Sequence, residues 1–141
     1  MHRYFIELAY NGSEYNGWQI QPNAPSVQEA INKALTLLLK QEINVTGAGR
    51  TDTGVHASFF VAHFDSDVVI DHTQALTNKL NRFLGKNIAI KDIYAVQPDM
   101  HARFSAISRT YKYYINKNKN PFTYPFAYRP HPLPDIRLMN N

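Results

Sequence analysis

The sequence predicts an α+β fold, in which two helices cover one face of an antiparallel sheet. Apolar residues near the start of the chain alternate with polar or small ones, which is the pattern of a half-buried strand. Two later segments place apolar residues at helical spacing, and short β-branched or aromatic runs lie between and after them. The segments therefore follow the order strand, helix, strand, strand, helix, strand, which is typical of a two-layer α+β domain.

The first two elements have clear start and stop signals. A strand is predicted over Tyr4 to Tyr10, and the turn-forming pair Asn11-Gly12 ends it. A loop rich in glycine and proline follows. The first helix begins at Ser26, because Ser26 and Glu29 form a capping box, and its apolar residues keep helical spacing to about Lys40.

The middle of the chain contributes two strands and a helix. The strands are predicted over Ile43 to Thr46 and over Phe59 to Phe64, so that the glycine-rich segment between them is a loop joining two strands. A second amphipathic helix follows, and Gly85 is a typical residue to end it. The apolar residues of this helix are Ala75, Leu76, Leu80, Phe83 and Leu84.

The last two strands are predicted over Ile88 to Val96 and over Arg103 to Asn116. With the earlier elements they give a ferredoxin-like (RRM-like) β-α-β-β-α-β sandwich with an antiparallel sheet and one extra strand. The helices would cover one face of this sheet and leave the other free to bind a partner, as RRM sheets bind RNA. We also expect an apolar part of this free face to cause self-association.

Length and composition limit the kinds of protein that this chain can be. The 141 residues are enough for one domain with its own core. The formal net charge of +4 and the pI near 9.3 favour an anionic partner such as nucleic acid. Cysteine is absent, which excludes disulfides and thiolate metal sites. No apolar run approaches the roughly 18 residues of a membrane-spanning helix, so we expect a cytoplasmic protein without membrane association.

The most informative segment is the glycine-bracketed run from Gly47 to Ala57, which contains Arg50 and Asp52. Glycine permits the sharp backbone turns that project a side chain into a cleft. An arginine beside Asp52 would keep the carboxylate ionised, as a nucleophile or a general base requires. The alternative is an ordinary Asx turn with an exposed ion pair.

Further motifs follow one another in order along the chain. They are Tyr10-x-Gly12-x-x-Tyr15-x-Gly17-Trp18-Gln19, Val27-Gln28, His63-Phe64-Asp65, His101-Ala102-Arg103-Phe104 and Arg109-x-Tyr111-x-Tyr113. Together with the Asp52 run, they resemble the N-terminal half of the tRNA pseudouridine synthase A family. The resemblance covers nearly all of Tyr10 to Tyr113 and is far more specific than the Asp52 run alone.

The resemblance implies an enzyme that isomerises uridine to pseudouridine in the anticodon stem-loop of tRNA. Asp52 would attack C1′ as a nucleophile or act as a base that drives elimination to a glycal, and both routes stay open. Arg50 would pair with Asp52 and fill the space left by the flipped base. Tyr111 would stack on the flipped uracil. The reaction has no redox step, so no cofactor is implied, and no metal site is expected.

The implied partner is tRNA, bound by a homodimer. Five basic residues are candidates for RNA contacts, namely Lys79, Arg82, Arg103, Arg109 and Lys112. Three histidines are interpreted as structural, because their spacing matches no zinc pattern; they are His56, His63 and His101.

The expected organisation is a catalytic α+β domain over residues 1–116 and a proline-rich connector over residues 117–141. The family has a second domain of similar size that supplies part of the cleft. We therefore expect this chain alone to be inactive or nearly so, with weak, mostly electrostatic affinity for tRNA.

Two other functions fit parts of the sequence. The chain could be a non-catalytic RNA-binding fragment of such an enzyme. Asp52-Thr53-Gly54 is also the tripeptide of aspartic proteases. In those enzymes two carboxylates share one proton, so one pKa must rise, whereas Arg50 would lower the pKa of Asp52. The protease is therefore the more remote alternative.

Overall fold

The computed structural model describes residues 1–140 and divides the chain into two compact units, Met1–Ile107 and Ser108–Asn141. The whole sheet and both long helices belong to the first unit. The second unit contains a short 3-10 helix, Tyr124–Phe126, and a single helical turn, α3, over Ile136–Met139. The assignment of a catalytic domain to residues 1–116 and a connector to residues 117–141 stays a prediction.

Four strands form one open sheet in the first unit. They are β1 (His2–Tyr10), β2 (Thr46–Gly47), β3 (Ala57–Ser66) and β4 (Ile88–Ala95). Their spatial order is β2-β3-β1-β4, and each neighbouring pair is antiparallel. The predicted α+β class is confirmed, and the arrangement is consistent with a ferredoxin-like sandwich.

Two helices supply the apolar layer, α1 over Val27–Leu39 and α2 over Thr73–Phe83. The predicted start of α1 is confirmed, because the Ser26 side chain accepts a hydrogen bond of 3.1 Å from the Glu29 N–H. Within residues 1–140, no helix has both the length and the apolar character needed to cross a membrane.

The core lies between the helices and one face of the sheet. The alternating residues of β1 point into it, and each is at most 4% exposed: Tyr4, Ile6, Leu8 and Tyr10. The buried residues of α1 and α2 belong to the same apolar cluster, including Ile31, Leu35, Leu76 and Leu80. Removal of these side chains from water is the main free-energy gain that holds the layers together.

The second strand is shorter than predicted, because side chains of α1 satisfy the peptide groups that precede it. The Ile43 N–H donates to Thr36 Oγ1 at 3.0 Å, and the Val45 N–H donates to Asn32 Oδ1 at 2.8 Å. The Val45 carbonyl accepts from Gln28 Nε2 at 2.7 Å. Ile43 and Val45 are buried as the pattern predicts, but these hydrogen bonds replace those of a strand ladder.

The prediction of a fifth strand over Arg103 to Asn116 is wrong. The described residues contain no strand there, and Ile107 and Tyr113 are 102% and 89% exposed. Ile115 forms only an isolated bridge with Tyr128. Alternation of apolar and polar residues predicts a strand only where a neighbouring strand can supply hydrogen bonds. Such a neighbour is a non-local partner, which the alternation itself does not reveal.

Candidate active site

Asp52 lies in the loop that joins β2 to β3, as the sequence predicts. The loop turns at this residue, because the Val55 N–H donates to the Asp52 carbonyl at 3.1 Å. The Asp52 side chain is exposed. The carboxylate is therefore accessible from solvent at the tip of a defined turn.

The backbone just before Asp52 is fixed by the end of β1 and the loop that follows it. The Thr51 carbonyl accepts a hydrogen bond of 3.3 Å from the Trp18 N–H. The hydroxyls of Thr51 and Tyr10 are hydrogen-bonded at 3.0 Å. Gly17 has a φ of +82°, and a Cβ at this position would overlap the Thr51 carbonyl oxygen. Close approach of the two loops at this point therefore requires glycine.

The backbone just after Asp52 is held by the same neighbouring loop. The Gly54 N–H donates to the Tyr15 carbonyl at 3.3 Å, and the Gly12 N–H donates to His56 Nδ1 at 2.9 Å. A Cβ on Gly12 would overlap the carbonyl oxygen of Val55. The turn is thus fixed on both sides of Asp52, while the carboxylate itself stays exposed.

An aromatic cluster supports the base of the loop. The Trp18 indole is 2% exposed and packs directly on Gly47, where a Cβ would lie 2.5 Å from Trp18 Nε1. The Trp18 and Phe60 ring centroids are 4.5 Å apart, and the Tyr10 ring lies 6.2 Å from Trp18. Trp18 is therefore a packing residue.

The expected ion pair between Arg50 and Asp52 is absent from the described residues. Both side chains are exposed, so water can solvate each of them separately. The hypothesis that Arg50 holds Asp52 in its ionised state through a direct ion pair therefore has no support in this structure. Arg50 remains on the same loop, two residues before Asp52.

Tyr15, whose carbonyl accepts from Gly54, has a phenol with a shifted pKa. Burial raises the pKa of Tyr15, and the nearby Glu14 carboxylate raises it further. The phenol therefore stays protonated at neutral pH.

The other predicted site residues lie in different parts of the chain. Lys79 and Arg82 are exposed on α2, and Arg103 is exposed in a turn after β4. Arg109, Tyr111 and Lys112 belong to the second unit and are also exposed. Within the first unit, the structure brings Arg50 and Asp52 together in one loop, and it places Lys79, Arg82 and Arg103 on other elements.

The sequence does not reveal which residues support the Asp52 turn. It places Tyr10, Gly12 and Gly17 in one motif at the end of the first strand and predicts that His56 is structural, but it identifies no partner for any of them. The signal for their role was the close spacing of glycines after the first strand. This spacing does not show which carbonyl groups lie opposite the glycines.

Comparison with known proteins gives a consistent result. A family model described as tRNA pseudouridine synthase matches residues 8–105. The tRNA pseudouridine synthase A of Bacteroides thetaiotaomicron is 52% identical over 140 residues, which make up 99% of this chain and 52% of that protein. The protein of the same name from Parabacteroides distasonis is 49% identical over 140 residues, covering 99% of this chain and 56% of its own length.

A third relative, the tRNA pseudouridine synthase A of Porphyromonas gingivalis, is 47% identical over 141 residues and is covered to 56% of its length. The chain therefore spans about half the length of the curated relatives it matches. The family match includes the whole Asp52 loop and the loop that supports it. The chain belongs to the tRNA pseudouridine synthase family.

Proposed function

We propose that this chain supplies the catalytic carboxylate of an enzyme that converts uridine to pseudouridine in the anticodon stem-loop of tRNA. The observation that carries the proposal is the Asp52 turn. Its carboxylate is exposed while hydrogen bonds and glycine contacts fix the backbone on both sides. A backbone fixed in this way loses little conformational freedom when the substrate binds.

The reaction rearranges one nucleotide without any net oxidation. The N1–C1′ bond breaks, the uracil turns, and a C5–C1′ bond forms. The hydrogen on C5 is then lost to solvent, and N1 gains a proton. Asp52 acts on the sugar, either as a nucleophile at C1′ or as a base that removes a proton to give a glycal. The target base must first leave the stem, at a cost of a few kcal/mol.

Other parts of the chain would bind the substrate. Arg50 would occupy the space vacated by the flipped base, since it lies on the same loop, two residues before Asp52. Tyr111 would stack on the uracil. The basic candidates for phosphate contacts are those named from the sequence, and the functional unit would be a homodimer in the cytoplasm. Because the chain matches about half of each relative, we expect the remaining half to close the cleft.

A chimera tests the role of Asp52. This chain replaces the aligned half of the Bacteroides thetaiotaomicron protein, to which it is 52% identical. Release of tritium from uracil C5 in a tRNA transcript measures turnover. We expect the chimera to be active, Asp52→Asn to lose all measurable turnover, and Asp52→Asn to bind tRNA as the parent chimera does. The substitution keeps the shape of the side chain and removes its charge.

The matched control is Asp67→Asn, because Asp67 is also exposed and lies outside the loop. This variant should turn over normally. Turnover by Asp52→Asn above a trace would contradict the catalytic role. The unfused chain, assayed beside the chimera, should be inactive or nearly so. An active unfused chain would show that the second half contributes nothing to the cleft.

A further inference from the structure

A turn over His101–Ser105 is bound to the sheet through a buried histidine. His63 lies on β3 and is 5% exposed. Its Nδ1 accepts a hydrogen bond of 3.0 Å from the Ala102 N–H, and the His63 and His101 ring centroids are 4.5 Å apart. His63 therefore connects the sheet to a turn 39 residues further along the chain.

Arg3 makes a second connection, from β1. Its Nε and Nη2 donate to the two carboxylate oxygens of Asp65, each at 2.9 Å. Its Nη1 donates to the Met100 carbonyl, also at 2.9 Å. This bidentate ion pair fixes the guanidinium plane. The third donor, Nη1, then fixes the backbone of Met100, the residue before the turn. Hydrogen bonding to Arg3 lowers the pKa of Asp65, so the pair stays ionised at neutral pH.

The turn is also bonded within itself. His101 Nδ1 accepts from the N–H groups of Arg103 and Phe104, at 3.1 and 3.2 Å. The His101 N–H donates to Ser105 Oγ at 2.9 Å, and the Ser105 N–H donates to the His101 carbonyl at 2.9 Å. Its backbone is therefore fixed both to the sheet and internally.

The hydrogen bond to Ala102 requires a neutral imidazole at His63, because only an unprotonated Nδ1 can accept it. Burial, the positive Arg3 and the imidazole of His101 together lower the pKa of His63 to about 4, against the opposing charge of Asp65. His63 is thus an acceptor throughout the neutral range.

An aromatic ring stands exposed on this fixed turn. Phe104 is 78% exposed, although its ring stacks on His101 at 4.3 Å between centroids. The Arg103 guanidinium carbon lies 5.8 Å from the centre of the same ring. An exposed phenyl ring beside a cation suits a nucleobase with its phosphate, since aromatic rings stack on unpaired bases and arginine binds phosphate.

We propose that His63 is a positioning residue, which fixes the His101–Ser105 turn so that Phe104 stacks on an unpaired nucleotide of the RNA substrate. This inference rests on the proposed function, because it takes RNA as the partner. It adds a stacking contact at Phe104 and assigns His63 to the support of that contact. The net charge of +4 is consistent with an anionic partner.

The test measures binding of this chain to a fluorescent anticodon stem-loop RNA at fixed low salt. We expect Phe104→Ala to weaken binding about tenfold, which corresponds to the loss of one stacked base. The matched control is Phe83→Ala, because Phe83 on α2 is also exposed and should not matter. A fully paired hairpin of equal charge should bind Phe104→Ala and the parent chain equally.

His63 is tested by two substitutions. His63→Leu removes the acceptor and should weaken binding as Phe104→Ala does. His63→Asn places an amide oxygen near the position of Nδ1 and should restore binding. The Ala102 amide resonance reports the hydrogen bond directly, and it should shift in the leucine variant and return in the asparagine variant.

Three results would overturn the inference. If Phe104→Ala and Phe83→Ala both bind the stem-loop like the parent, the turn does not contact RNA, and the proposed function is unaffected. If His63→Asn restores the Ala102 resonance but not binding, His63 is only structural. If the parent chain binds neither RNA, and the chimera also fails to modify tRNA, then the proposed function fails with it.

Discussion

The Asp52 loop and the His101–Ser105 turn both present an exposed side chain from a fixed backbone, but they are fixed by different means. Backbone groups and glycine contacts mainly hold the first, together with the side chains of Tyr10, Thr51 and His56. An imidazole and an ion-paired guanidinium hold the second. The two supports should therefore respond to different perturbations. Added atoms should disturb the first most, and loss of the His63 acceptor, by substitution or by acid, should disturb the second.

The largest loss of folding stability should come from a methyl group added to the loop that supports the Asp52 turn. Gly12→Ala would place a Cβ against the Val55 carbonyl oxygen, so one of the two backbones would have to shift. We expect a loss of about 3 kcal/mol in the free energy of unfolding, at the upper end for overpacking. Urea denaturation of the variant and the parent chain measures this loss.

The matched control is Gly54→Ala, in the Asp52 loop itself. Gly54 has a φ of +81°, but a Cβ there would meet no atom within 4 Å. The remaining cost is that of placing alanine at a positive φ, about 1 kcal/mol. Equal losses for the two variants would mean that close packing of the loops does not stabilise this region.

Acid should weaken the second support by protonating the His63 acceptor. The His63 pKa is about 4 in the folded chain and 6.5 as its ordinary value. Between these values the unfolded chain binds a proton that the folded chain does not, so stability falls as the pH falls from 6.5 to 4. Thermal unfolding at several pH values measures this slope.

In His63→Asn the slope over this pH range should become shallower, because asparagine does not titrate. Relative to the intrinsic exchange rate at each pH, the Ala102 amide should lose protection in the parent chain at pH 4.5, while the Gly54 amide, whose acceptor is a backbone carbonyl, should keep its protection. An identical slope in the parent and in His63→Asn would exclude His63 as its source.

The smallest loss of folding stability should come from removing one hydroxyl that supports the Asp52 loop. Tyr10→Phe removes the hydrogen bond to Thr51 Oγ1 and keeps the ring in its aromatic cluster. The expected loss is about 1 kcal/mol of folding free energy. Tyr113→Phe is the comparison, because Tyr113 is 89% exposed and its change should be close to zero. A stability equal to that of the parent in Tyr10→Phe would mean that Thr51 is held by its backbone alone.

Elements with local signals were predicted well from the sequence. The α1 start depends on Ser26 and Glu29, three residues apart, and β1 depends on alternation within nine residues. The fifth strand failed because it needed a neighbouring strand that its own residues do not specify. The shortened β2 failed for a related reason, since Asn32 and Thr36 of a helix bond to its preceding peptide groups.

In the candidate site, too, local features were predictable from the sequence and contacts with distant residues were not. The sequence predicted that Asp52 lies in a loop between two strands, because glycines and flanking strands are local features. The neighbouring Arg50 was expected to pair with it, but closeness in sequence does not direct two exposed side chains toward each other. The partners of Gly12 and Gly17 lie far along the chain, so only the folded structure could identify them.

The hydrogen bonds that α1 makes to the segment before β2 also affect how the protein behaves at high concentration. β2 is an edge strand, and edge strands with free peptide groups can recruit strands from other molecules into aggregates. Here Gln28, Asn32 and Thr36 already occupy the peptide groups of Ile43 and Val45. The short strand and these polar side chains thus protect one side of the sheet against intermolecular β-pairing.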